Sequence, residues 1–405
     1  MSEGMKISET LEFLTQIHTS RENLEQRAAL RARSRRTISY DYIGIETWQS
    51  QYLRSLVYSQ QTQLFQIPLW HAADRIMHPL YESEANIKLK PENIWQWRGC
   101  GGALLWANDT YGGTYYPVVE YTSTGIVGLG KQLAADIPRG KNVICPVAWG
   151  VLSQSDKYSN YTSNITAINI TVEIMREAQA PLLPNALNET HYEPEKNFWG
   201  MNFGNTYKGY PLFMKPPAWN NDITANFSRN ANRLDNHTGS FFYDLKSNNP
   251  TETKQHEYVM STRSEINNMQ RFFTNCKGRA HSFYAPTWLN DIELVDNVSA
   301  GSNYMLAKYP YYWKYFSKTN RRKLAIVIFK DKTAQILPIS GYSTDETGEY
   351  SKIYLESPLA AAINSNNVAM ISFLCQYRFD SDTMVTDFES VDVATTTFAL
   401  MEVTQ

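Results

Sequence analysis

The chain lacks most of the features by which a sequence announces chemistry. Its four cysteines, Cys100, Cys145, Cys276 and Cys375, are scattered, with no Cys-x-x-Cys pair and no histidine at ligand spacing. That excludes a recognisable zinc site or disulfide framework and leaves four reduced thiols acting as small apolar side chains. No run approaches the roughly 20 apolar residues of a membrane helix, and the opening Met1-Ser2-Glu3-Gly4-Met5-Lys6 has no apolar signal core, so a soluble chain without a membrane span is expected. Charge of one sign is missing too: 38 basic residues stand against 40 acidic ones, which argues against nucleic-acid binding.

Catalytic patterns are equally scarce. Gly125-Ile126-Val127-Gly128-Leu129-Gly130-Lys131 superficially resembles a phosphate loop, but it lacks the four-residue gap between glycines and the Ser or Thr after the lysine. His71 and Asp74 beside Trp70 offer a carboxylate-imidazole pair, yet the matching position later in the chain is Leu289. No nucleophile, base or ligand set is assembled. The chain is therefore expected to have no catalytic residues, no metal and no cofactor.

Aromatic residues are plentiful, with 26 Tyr, 17 Phe and 10 Trp in a chain only 19% charged. Such residues favour sheets and protein contacts, because they bring large rigid area at low entropic cost. A series of signatures also occurs twice in one order. Phe65-Gln66-Ile67-Pro68-Leu69-Trp70 answers to Phe283-Tyr284-Ala285-Pro286-Thr287-Trp288. Ala103-Leu104-Leu105-Trp106 with Tyr115-Tyr116-Pro117-Val118 answers to Ala325-Ile326-Val327-Ile328 with Ile336-Leu337-Pro338-Ile339. Leu133-Ala134-Ala135-Asp136-Ile137 matches Leu359-Ala360-Ala361-Ala362-Ile363, and Ser155-Asp156 falls opposite Ser381-Asp382. Pro68, Trp70, Pro286, Trp288, Asp156 and Asp382 thus form a structural repeat signature.

The spacing predicts a β-rich (α+β) protein of two tandem homologous β-sandwich or barrel-like domains, each with one packed helix, plus an N-terminal helical segment. Boundaries fall at 1–36 for the opening segment, 37–175 for the first repeat, 176–209 for a linker and 210–405 for the second repeat. The helix stripes are Ile45, Trp48, Tyr52, Leu53 and Leu56 in one repeat and Ile266, Met269, Phe273 and Cys276 in the other. In the opening segment, Gln26, Arg27, Arg31, Arg35 and Arg36 crowd one end of the expected helix, either as a solvated face or as guanidinium anchors for a neighbouring subunit. Tyr311, Tyr312 and Trp313, inside a dense aromatic cluster, are the second candidate for a subunit interface.

Three segments together resemble a family of tailed-bacteriophage virion proteins, the tail and baseplate structural proteins. They are Phe13 to Ile17 with Glu25-Gln26-Arg27-Ala28-Ala29-Leu30-Arg31 and Arg35-Arg36; Tyr210-Pro211-Leu212-Phe213 with Lys277-Gly278-Arg279 and Phe283 to Asp291; and Tyr377 to Met384 with Ala394 to Glu402. The resemblance implies a non-enzymatic structural component of the virion tail, made in the host cytoplasm. It would form a ring around or at the end of the tail channel from three or six copies of itself, joined to other phage tail proteins. A tail-tip protein binding a host receptor or glycan is the alternative.

Overall fold

A computed structural model describes residues 6–20, 24–61, 63–76, 78–107, 113–137, 142–153, 157–175, 206–220, 222–229, 231–245, 250–317 and 321–403. Asp156, Ser155 and nearly all of the expected linker lie outside the described residues. The protein is β-rich, with large antiparallel sheets that do not close into a barrel.

The opening segment is not helical. It runs as β1 (Ile7–Glu12), β2 (Thr15–Thr19) and β3 (Glu25–Ala29), leading into β4 (Arg35–Gly44). The physical reason is a period of two: Ile7, Glu9 and Leu11 are buried while Ser8, Thr10 and Glu12 alternate outward. Of the arginines expected at a helix terminus, Arg27 lies on the β2–β3 hairpin, Arg31 in the connection after it, and Arg35 and Arg36 at the start of β4.

Next come α1 (Thr47–Gln60), β5 (Phe65–Pro68), β6 (Asp74–Arg75), β7 (Asn86–Lys88), β8 (Gly102–Ala107), β9 (Gly113–Tyr121), β10 (Ile126–Leu129), β11 (Asn142–Leu152), β12 (Lys157–Asn160) and β13 (Thr166–Met175). Antiparallel pairing runs β4 to β13, β13 to β11 and β12, β11 to β5, β6 and β8, β8 to β9, β9 to β10, and β10 to β7.

A small hairpin, β14 (Thr206–Tyr207) and β15 (Tyr210–Pro211), precedes β16 (Thr224–Ser228), β17 (Ala231–Asp235), β18 (Phe241–Leu245) and β19 (Thr251–Met260). After them follow α2 (Arg263–Cys276), β20 (Phe283–Pro286), β21 (Tyr304–Lys308), α3 (Tyr311–Phe316), β22 (Leu324–Phe329) and β23 (Ala334–Thr344). The chain ends with β24 (Tyr350–Leu355), β25 (Val368–Phe379), β26 (Thr383–Phe388) and β27 (Ala394–Glu402). Here the pairing runs β19 to β27, β27 to β25 and β26, β25 to β20 and β22, β22 to β23, β23 to β24, and β24 to β21.

The two lists have one order, β6 aside. Pro68 pairs with Val147 as Pro286 pairs with Leu374, and each proline sits at the end of its short strand, where its missing N–H costs no ladder bond. The loops agree as well: Leu80 bridges Ile137, and Val298 bridges Ile363. β4 pairs with β1, and β19 with β16, each of which leads into a hairpin, β2–β3 or β17–β18.

β1 has a second partner. Its other edge pairs with β26 over all six residues, from Ile7 opposite Phe388 to Glu12 opposite Thr383. One strand from the start of the chain therefore joins the sheet of the first half to that of the second. The core cluster that holds Ile7 and Leu11 extends into an aromatic group in the second half, with Phe213 against Tyr258, Phe272, Phe283 and Phe398 at ring separations of 4.9 to 6.3 Å.

Candidate assembly surface

The junction between the halves is built around a buried charge. Alternation along β1 turns Glu9 inward between Ile7 and Leu11, where it is fully buried. Its carboxylate accepts hydrogen bonds from Arg36 Nε, from Arg98 Nη2 at 2.8 Å and from Gln270 Nε2 at 2.8 Å, with His71 Nε2 at 3.7 Å. Burial alone would push the Glu9 carboxyl up, but Arg36 and Arg98 hold it well below the usual range. Burial pushes His71 down to about 3, opposed by Glu9 and reinforced by the nearby guanidinium groups, so the imidazole is neutral. Arg36 is therefore an internal ion and not a subunit anchor: burial disfavours its charge, and Glu9 more than restores it.

Around this centre the halves interlock. The 3-10 turn Pro91–Trp97 of the first half lies across α2 of the second. Trp95 Nε1 donates to Gln270 Oε1 at 3.1 Å, Gln96 Nε2 to Asn267 Oδ1 at 2.7 Å, and Asn267 donates in turn to the Glu92 carbonyl. Arg263 donates to the carbonyls of Ala72 and Ala73 at 3.4 and 3.0 Å. The β2–β3 hairpin docks on the second half through Glu25, which takes two 2.8 Å bonds from Arg378. Asp382 accepts from Thr15 N at 2.8 Å, Thr15 Oγ1 at 2.7 Å and Arg279 N at 3.0 Å, tying the hairpin base to the turn after α2.

The remaining expected interface residues spread over two surfaces. Gln26 is exposed on β3 opposite His18. Arg27 lies 3.8 Å from Glu25, and its guanidinium is held below its usual range chiefly by burial. Arg31 pairs with Glu12 at 3.1 Å, and Arg35 is exposed opposite Glu12 in the β1–β4 ladder. Tyr311 and Trp313 are exposed on α3, while Tyr312 is partly buried with its hydroxyl on the Asp291 carbonyl. Trp70 stands edge-on to Trp106 at 5.5 Å, and Trp288 is buried at a positive φ of 56°.

The helix stripes have opposite fates. In α2, eleven residues are buried, including Ile266, Met269, Phe273 and Cys276. In α1 only Ser50 and Leu53 are buried, and the expected core residues Ile45, Trp48 and Tyr52 are exposed. The two helices have the same length and stand in the same place in their pairing schemes, so the difference is one of cover: the Pro91–Trp97 turn lies over α2. Sequence reasoning missed Glu9, Arg98 and His71 as a unit, although an acid at an inward position of an alternating strand is a readable sign of a buried partner.

Comparison with protein-family models gives no match, and none is found among curated proteins. Among the described residues no group of His, Cys, Asp or Glu could hold a metal ion, and no helix is long and apolar enough to cross a membrane.

Proposed function

We propose that this chain is a structural subunit of a bacteriophage tail, in which two copies of one β unit build part of a ring around or at the end of the tail channel. One observation carries the reading: the strand-pairing order of β4 to β13 recurs from β19 to β27, with a 14-residue helix after the first strand of each. Both helices run 216 residues apart (47 to 263, 60 to 276). The same offset carries β2 onto β17 (15 to 231) and β3 onto β18 (25 to 241), which supports a unit that includes β1 to β3. A chain with two such units, asymmetrically joined, suits a closed ring in which three subunits present six similar positions.

The glycan-binding alternative rests on the exposed rings on and just before α3, where Tyr311 stacks with Tyr309 at 5.5 Å and with Tyr315 at 6.3 Å. Aromatic rings of this kind also serve protein contacts, and the paired strand order of the two halves supports a protein partner. Gold-labelled antibody against the chain, imaged on intact particles, should decorate the tail. Label confined to the capsid, or absent from particles, would contradict the assignment.

A further inference from the structure

Among the described residues, two surfaces left open, one on β12 and α1 and the other on β16 and α3, match the two sides of the internal junction. In that junction β1, the first strand of the first unit, pairs with β26 of the second unit. The counterpart of β1 is β16: Ser8 lies opposite Ser39, and Thr224 opposite Gln255, again 216 apart (39 to 255). The counterpart of β26 is β12, since Phe388 pairs with Ala394 across a five-residue turn as Asn160 pairs with Thr166. Among the described residues β16 pairs only with β19, and β12 only with β13.

The helices repeat the pattern. The turn covering α2 lies between β7 and β8, and its counterpart between β21 and β22 is α3. α3 exposes Tyr311, Trp313 and Tyr315, and the uncovered α1 exposes Trp48, Tyr52 and Tyr58, the last 87% accessible. On β16, Phe227 is 68% exposed at the position where Leu11 of β1 is fully buried.

From this we infer that a second copy of this chain docks head-to-tail, its β12 edge and α1 face meeting the β16 edge and α3 of the first, and that this contact repeats the internal junction between chains. The inference rests on the ring reading above and specifies its interface. β16 becomes a shared strand, as β1 is within the chain, and the β12 and β16 edges that are unpaired among the described residues are both covered. Chemistry at the hairpin changes accordingly. Glu25 on β3 meets Arg378, whereas their counterparts are Phe241, 58% exposed, and Val151, so a charged contact inside the chain becomes an apolar one between chains.

The register is fixed by the internal one. Ser8 Oγ donates to Asp387 Oδ1 at 2.5 Å, and the corresponding pair is Thr224 with Ser159 of the next copy. Under mild oxidation the double variant Thr224→Cys/Ser159→Cys should form interchain disulfides, giving a ladder of covalent oligomers. Thr224→Cys/Tyr158→Cys, one step out of register with the second side chain on the opposite face, should give at least tenfold less. Ser8→Cys/Asp387→Cys should close within one chain and serves as the geometric control. If native mass measurement shows rings of wild-type chains but the Thr224/Ser159 pair does not cross-link while the control does, the interface assignment is wrong and the ring reading stands. Wild-type chains that remain single, with no cross-link, overturn both. Phe227→Glu should fold with an unchanged circular-dichroism spectrum and lose the interchain cross-link; retention of the cross-link would also overturn the assignment.

Discussion

Glu25 and Arg378, 353 residues apart in sequence, form a two-pronged ion pair with both N–H···O distances at 2.8 Å. Both side chains are largely shielded, at 9% and 5% exposure, so the bidentate geometry fixes where the β2–β3 hairpin lies on the second half. Arg378→Ala should destabilise the protein by about 1–3 kcal/mol, because it leaves a shielded carboxylate without its donor. Amide hydrogen exchange should quicken in Thr15–Thr19 and Glu25–Ala29 before the rest of the sheet. Unchanged exchange in the hairpin would show that it is held by other means.

Glu9 carries more. Glu9→Gln keeps the shape but leaves Arg36 and Arg98 buried without a counter-charge, at a cost of about 3–5 kcal/mol. Chemical denaturation should report this as a lower midpoint. A loss below about 1 kcal/mol would mean that the two guanidinium groups find other partners.

The same site predicts acid sensitivity. His71 is pushed down to about 3 and His256 to about 4, in both cases first by burial. Between these values and the ordinary 6.5, the unfolded chain binds protons that the folded chain refuses, so stability falls as pH drops through that window. Glu9, held below 4.5 in the fold, adds to the loss at lower pH. The urea midpoint should decline from pH 7 to pH 5, with a shallower decline in His71→Gln. An identical slope in that variant would remove His71 as a cause.

Gly278 tests the hairpin anchor from the other side. It has a φ of +64°, and an added Cβ would lie 2.6 Å from Asp382 Oδ1. Gly278→Ala should cost more than about 1 kcal/mol through backbone strain and displacement of Asp382 from Thr15 and Arg279. A neutral effect on the thermal midpoint would contradict the anchoring role given to Asp382.

Much of this architecture was legible in the sequence where local signals were strong. The matched prolines 68 and 286 fall at equivalent ladder positions, as do Ala103 and Ala325, and the α2 stripe is buried as its spacing requires. The opening segment reads as helical in sequence because its cluster of arginines outweighs a short alternating run, Ile7, Glu9, Leu11, whose meaning depends on a partner strand nearly 380 residues away. The exposure of the α1 stripe is not legible in the sequence, because spacing reports amphipathicity and not what covers it; Trp48 and Tyr52 are apolar and periodic, yet exposed. The correspondence of β1–β3 with β16–β18 was invisible because it preserves pairing without preserving residues: Leu11 answers to Phe227, and Glu25 to Phe241.

In the proposed assembly the chain closes on copies of itself. Native mass spectrometry of the purified 405-residue chain should show a discrete trimer, three times its 46.5 kDa mass. A population that stays at the mass of one chain across rising concentration would contradict it.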